Sequence, residues 1–240
     1  MCGRFTLTAE WGLVRDWFAI MWMEEMERIA PRYNIAPGQQ VLAIIEDKGS
    51  RRAGWLKWGL PAAGVGPGSK PRAPLINARA ASLAEKPTFN RLLARKRCLI
   101  PADGFYEWMR VENGAKQPYR ITLRDRSLFS FAALYDTHVD ESGEKHHSCV
   151  IVTTSPNRTM ARIHHRMPAI LQREDEARWL DRGVIEPERL LPLLSPYADE
   201  AMHVHPVSPA VGSVRWDAPE CLADITTSFE LPPQSCPPSS

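Results

Sequence analysis

Between residues 97 and 154 four stretches are apolar or alternate apolar with polar: RCLIPADGFYEWM, PYRITLR, LFSFAALYDTHV and HHSCVIVTTS. Successive side chains of a strand point to opposite faces, so alternation at period two is a strand signal. Turn residues separate the runs, and no repeating strand–helix–strand rhythm connects them. That excludes a doubly wound parallel sheet. The pattern predicts one α+β domain over residues 1–229, with a curved, mostly antiparallel, barrel-like sheet flanked by short helices.

The flanks fit this frame. QVLAIIE and AGWLKWGL read as strands of a hairpin. AEWGLVRDWFAIMWMEEMERI, residues 9–29, has apolar residues every three or four positions and predicts a helix. SLAEKPTFNRLLARK predicts another, with Pro87 marking a break or late start. SPNRTMARI and SPYADEAM each predict a helix start, with Ser155 or Ser195 as cap and Pro156 or Pro196 at the first helical position. Residues 61–74 hold four prolines and three glycines, a loop too long for a plain turn. The Pro- and Ser-rich end, 230–240, predicts a disordered tail.

With 44% apolar residues in 240, the chain can bury a substantial core. No apolar run approaches the ~18 residues of a membrane span. No basic-then-apolar leader opens the chain. The five cysteines are Cys2, Cys98, Cys149, Cys221 and Cys236, with no CxxC spacing. The expected compartment is therefore a reducing cytosol, with neither disulfide nor metal knuckle. Cys98 and Cys149 sit in apolar runs and read as core.

The net charge of +2 conceals an asymmetry: residues 51–100 carry eleven Lys or Arg against one acid, Glu85. A solvated basic face and a polyanion footprint are both open readings. Three polar positions stand in unlikely company. Asn77 interrupts the apolar stretch PLINARA, Glu107 lies between Tyr106 and Trp108, and His164 and His165 follow a short helix. Each alone admits an ordinary structural role. Together with Cys2 they are the inventory of a covalent site: nucleophile, amide, carboxylate and imidazole. His203 and His205 alternate on a strand without a nearby carboxylate and read as structural rather than metal ligands. No phosphate loop, dinucleotide fingerprint or G-x-S-x-G elbow occurs, so no cofactor is expected.

The blocks MCGRF, RYNIAPG, LINARAAS, RCLIPADGFYEW, IHHRMPAIL and HPVSPAVGSV, in this order, closely resemble the signatures of the SRAP (SOS response-associated peptidase) family. The resemblance runs from residue 1 to about 216. It implies a protein that shields abasic sites in single-stranded DNA. After loss of Met1, Cys2 would form a thiazolidine with the aldehyde of the ring-opened sugar, assisted by Asn77, Glu107 and His164. It further implies DNA contacts through Arg4, Asn34, Arg79, Thr153 and Arg166. The spacing of cysteines and histidines predicts no metal, and nothing in the sequence demands more than a monomer. His165 stands where the family pattern has Asp, and the 61–74 loop lacks the aromatic residues common there, so Lys70 and Arg72 would carry more of the DNA contact. The imidazole of His164, at a helix end, is expected to have a raised pKa. An N-terminal-nucleophile cysteine hydrolase and a non-covalent reader of single-stranded DNA are the rival readings.

Overall fold

The computed structural model describes residues 2–23, 29–62, 73–111, 114–140 and 142–226. The expected tail, 230–240, and Lys70 and Arg72 lie outside them. The strands are β1 (Phe5–Leu7), β2 (Ile20–Met23), β3 (Arg32–Ile35), β4 (Gln40–Asp47), β5 (Ser50–Trp58), β6 (Asn77–Arg79), β7 (Arg97–Ala102), β8 (Gly104–Arg110), β9 (Lys116–Leu123), β10 (Phe129–Val139), β11 (Lys145–Thr154), β12 (Met167–Pro168) and β13 (Met202–Pro206). The α-helices are short: α1 (Trp11–Trp17), α2 (Pro87–Arg95), α3 (Arg158–Ala161), α4 (Glu176–Leu180) and α5 (Pro187–Leu190).

Two sheets form the α+β domain. One runs β13-β9-β8-β1-β3, antiparallel throughout. In the other, β11, β10, β7, β4 and β5 pair in turn as antiparallel neighbours. The end of β5 then returns to β11 in parallel, opposing Lys57 to Ser148, which closes a five-stranded barrel. Strand β6 follows β5 along the same edge of β11, again in parallel, with Asn77 opposite Ile151 and Arg79 opposite Thr153. The curved, barrel-like, mostly antiparallel expectation is met, and the parallel edge of β11 is what the sequence did not announce.

The core fills the barrel and the space between the sheets. Phe5 meets Phe131 edge-on at 5.6 Å and tilts against Trp58 at 5.4 Å, geometries in which aromatic quadrupoles attract. Cys98 and Cys149 are fully buried there, as their apolar runs require.

The hairpin of β4 and β5 and the late start of α2 at Pro87 agree with the pattern. Three local expectations do not. The 9–29 stretch is not one helix. It stops at Trp17, Ala19 takes a left-handed φ of 49°, and β2 pairs in parallel with β5. A free edge on β5 outweighs the helical periodicity of IMWM, because a strand there satisfies backbone groups a helix end leaves open. The cap before α3 is Asn157, whose side chain accepts from Met160 N–H, rather than Ser155. The SPYADEAM segment makes only a single turn at Asp199–Ala201, preceded by Ala198 rather than Ser195.

RCLIPADGFYEWM divides at Asp103, with β7 in the barrel and β8 in the other sheet. The Asp103 carboxylate accepts from Thr6 Oγ1 (2.5 Å), Thr8 Oγ1 (2.7 Å), Thr8 N–H and Ala9 N–H (3.2 Å), and lies 3.4 Å from Arg120. The next residue must be glycine, since a Cβ there would meet Thr6 Oγ1 and Arg120 Nη2 at 2.9 Å. The end of β1 is thus bolted to the corner between the sheets. Asp103→Ala leaves Arg120 and several N–H and O–H donors without their acceptor, and is expected to lower the unfolding free energy by about 3 kcal/mol in denaturant titration.

Candidate functional site

The described chain begins inside the fold at Cys2. Cys2 is completely buried. Antiparallel pairing of β1 with β8 sets Phe5 opposite Phe105, and Tyr106 N–H donates to the Arg4 carbonyl at 3.0 Å. Continuing that register brings the residues before β1 alongside Glu107. Asn77, at the head of β6, donates from Nδ2 to the Cys2 carbonyl at 2.9 Å. Its amide therefore holds the backbone of Cys2 rather than its sulfur, and its Oδ1 makes no hydrogen bond with the described residues. Three elements distant in sequence meet at one point.

Glu107 is 2% exposed, which decides against its pointing outward from the strand. Burial raises its carboxyl pKa, opposed by the positive charge of the chain's amino terminus. The Cys2 thiol is raised further. Burial is the larger cause and the neighbouring Glu107 carboxylate the second, while the amino terminus and the Arg4 N–H act the other way. Burial thus keeps the sulfur a protonated thiol at neutral pH, beside the Glu107 carboxyl.

His164 follows α3, its N–H donating to the Met160 carbonyl at 2.8 Å. Its Nδ1 sits 3.1 Å from the Arg166 N–H and 3.2 Å from the Arg166 carbonyl. A neutral ring accepts from the former and an imidazolium donates to the latter. The expected upward pKa shift is overturned. Burial lowers it first, then the amino-terminal charge, with Arg166 and Lys116 adding to them. A helix of four residues supplies too small a dipole to reverse this. His165 stacks on His164 with centroids 4.2 Å apart and is itself lowered, chiefly by that neighbour's charge.

Beside this centre lies a cleft of about 370 Å³, lined by Arg79, Ser82, Lys86, Thr153, Thr154, Ser155, His165 and Arg166 together with Ala81. It holds three fixed cations and no carboxylate. Arg79 depresses the pKa of Arg166, after burial, so the two cations share one space. Thr153 is buried and its hydroxyl lies 3.4 Å from the Ala78 carbonyl. Lys86 and His165 join the cleft without having been singled out as contacts, because only the tertiary fold brings the residue before α2 and the turn after α3 to the end of β11.

The rest of the basic segment is not one surface. Arg97 is buried and donates to the carbonyls of Trp179, Leu93, Ala94 and Asp181. Arg51 pairs with buried Glu176, Arg52 with Asp47, and Arg91 with Asp136. Asn34 and Arg4 also have structural employment. Asn34 is fully buried, and its Nδ2 donates to the carbonyls of Val211, Ser213 and Trp216. Arg4 donates to Asn34 Oδ1, Val211 O (2.7 Å) and Gly212 O (3.1 Å). Both bind the C-terminal loop to the start of the chain. Of the two aromatics flanking Glu107, Tyr106 is buried and Trp108 is partly exposed.

A fold that buries its own first cysteine beside a carboxylate, with a histidine pair and a basic cleft adjoining, is a class of α+β protein built around its N-terminus. The family model described as SOS response associated peptidase (SRAP) matches residues 1–214. The chain belongs to the SRAP family. It is 42% identical over 225 residues to the abasic site processing protein YoqW of Bacillus subtilis, covering 92% of this chain and 99% of that one. It is 32% identical to the abasic site processing protein HMCES of Xenopus tropicalis, covering 84% and 68%. A crystal structure of a Bacteroides thetaiotaomicron protein superimposes with TM-score 0.76 at 27% identity, covering 87% and 93%.

The electrostatics at His164 are directly measurable. In a histidine-selective NMR titration of the free protein its imidazole is expected to titrate below the ordinary ~6.5, and a midpoint above that value contradicts the burial argument.

Proposed function

We propose that this protein processes abasic sites in single-stranded DNA by forming a covalent thiazolidine through Cys2 once Met1 is removed. The observation that carries the reading is the burial of Cys2 against Asn77 and Glu107, with Arg79, two residues from Asn77, lining a cleft of cations. The names of the relatives, abasic site processing proteins, support the substrate.

The chemistry follows from the groups present. With Met1 gone, the α-amine and the thiol stand on one residue. An α-amine has a pKa of about 7.7–8.0, so roughly a tenth is neutral at pH 7, far more than for a lysine at ~10.4. The neutral amine adds to the aldehyde carbon of the open sugar, and the carbinolamine loses water to give an iminium. The thiol then adds to the same carbon. A C–S bond forms, the C=N double bond becomes single, and the thiol proton leaves. No oxidant or reductant is needed. Ring closure is intramolecular and has a high effective molarity.

Each neighbour has a task set by its environment. Glu107, beside a thiol that burial keeps protonated, takes that proton as sulfur attacks. Its carboxylate also pairs with the α-ammonium before reaction. The Oδ1 of Asn77 is placed to accept from the amine or the carbinolamine hydroxyl. The lowered pKa of His164 makes it a base at pH 7, suited to removing the proton of the sugar's anomeric hydroxyl as the ring opens. Arg79, Lys86 and Arg166 neutralise phosphates, which positions the strand while the aldehyde supplies selectivity. The protein acts as a monomer in this scheme, since one chain supplies every group. Among the described residues no helix is long and apolar enough to cross a membrane.

The test is a denaturing gel of the mature protein incubated with single-stranded DNA carrying one abasic site. A shifted band is expected with wild type and none with Cys2→Ala or with one extra residue ahead of Cys2. An adduct that survives the added residue refutes the α-amine step. Peptide hydrolysis without an adduct supports a cysteine hydrolase instead, and salt-sensitive binding without an adduct supports a non-covalent reader. The adduct rate at saturating DNA is expected to rise from pH 6 to pH 8, as the α-amine loses its proton.

A further inference from the structure

Two histidines follow α3 as a stacked pair. The rings of His164 and His165 have centroids 4.2 Å apart and planes 30° from parallel. The turn after α3 holds them there, with the His164 N–H on the Met160 carbonyl. His164 is half-buried, whereas His165 is exposed and lines the cleft of Arg79, Lys86 and Arg166. No carboxylate lines that cleft. His165 therefore offers a titratable group to any anion that the three fixed cations attract. His164, the ring assigned above as a base, does not line the cleft.

We propose that a DNA phosphate entering the cleft brings a proton onto His165, whose charged ring then keeps its stacked neighbour His164 neutral and able to act as a base. The inference rests on the reading that the chain engages single-stranded DNA. Its carrying argument is the stack itself. A bound strand brings negative charge near both rings, which by itself favours protonating the base. Two imidazolium rings at this separation repel, so the pair takes one proton far more readily than two. Such a pair titrates as a unit, and the charges around it decide which ring takes the first proton. A phosphate in the cleft meets the surface that His165 lines and His164 does not, so the proton goes to His165.

The surrounding charges favour this division. Burial, the amino terminus, Arg166 and Lys116 all disfavour a proton on His164. His165 is held down first by the charge of His164, then by slight desolvation, the amino terminus and Arg166, while the Glu107 carboxylate draws it the other way. In the free protein the first proton thus belongs to His164, and its charge keeps His165 neutral. From the cleft side Arg79 and Lys86 also oppose a charge on His165 until a phosphate neutralises them. Bound phosphate removes the opposition at His165 and leaves burial, the amino terminus and Lys116 acting on His164. The order of protonation is reversed, and the base is protected by the strand that carries its substrate. His165 is in this sense a positioning residue for a proton rather than a catalytic one.

The test is a histidine-selective NMR titration of the full chain, free and saturated with an undamaged single strand of about ten nucleotides. On adding the strand, His165 is expected to bind its proton about tenfold more tightly, and the His164 midpoint is expected to fall. In His165→Gln the strand is expected not to lower the His164 midpoint. In His165→Lys that midpoint is expected to sit at the strand-bound wild-type value even before DNA is added. With abasic strands, His165→Gln is expected to lose a larger fraction of its adduct rate at pH 6 than at pH 8, and His165→Lys to restore the wild-type ratio of the two. A side chain that merely packed on His164 would move neither readout with its charge. A His165 midpoint unmoved by a strand that binds overturns the proposal, as does a His164 midpoint that falls equally in wild type and His165→Gln. If the wild type forms no adduct yet the midpoints move as stated, the crosslinking reading falls and the paired titration stands. If an adduct forms while the midpoints stay in place, the reverse holds. If the wild type binds no strand, both fall.

Discussion

Everything at the candidate site depends on burying the first residues of the chain. Chain ends normally fray, because they have few neighbours and a charge to keep solvated. Here β1 is held between β3 and β8, its far end is bound to Asp103, and its near end to the amide of Asn77. Arg4 and Asn34 add a clasp onto the loop at 211–216. Cys2 is therefore part of the scaffold rather than an appendage, as the proposed covalent step would require.

That burial also sets the electrostatics. Removing Cys2, Glu107 and His164 from water disfavours the charged form of each. It raises the thiol and the carboxyl and lowers the imidazole. The result is a resting site with a neutral thiol and a neutral imidazole, next to a cleft of permanent cations. The buried cysteine and the cation-lined cleft both border the strand pair β6 and β11, Asn77 reaching Cys2 and Arg79 and Thr153 lining the cleft.

Much of this was legible in order along the chain. Strand alternation marked the β-rich middle, and the ordered blocks marked the family. The misreadings share one cause. IMWM has a helical rhythm but meets an unpaired edge of β5, and Ser155 has the chemistry of a cap but Asn157 has the position. The expected pKa shift of His164 went the same way, because a pKa depends on burial and on charges from other segments. Nor could the sequence tell which cations of the basic segment, such as Arg51, Arg52, Arg91 and Arg97, are tied to carboxylates or carbonyls.

The sequence by itself determined the strand-rich α+β class, the buried roles of Cys98 and Cys149, and a set of chemical groups at Cys2, Asn77, Glu107 and His164. These follow from periodicity and side-chain chemistry, which are local. Tertiary structure alone decided that Asn77 holds the Cys2 backbone, that Asn34 and Arg4 serve the fold, and that Arg79, Lys86, His165 and Arg166 face one cleft. Those outcomes depend on β11 taking β5 and β6 along one edge, and such a pairing is chosen by the packing of the whole barrel, not by any one segment.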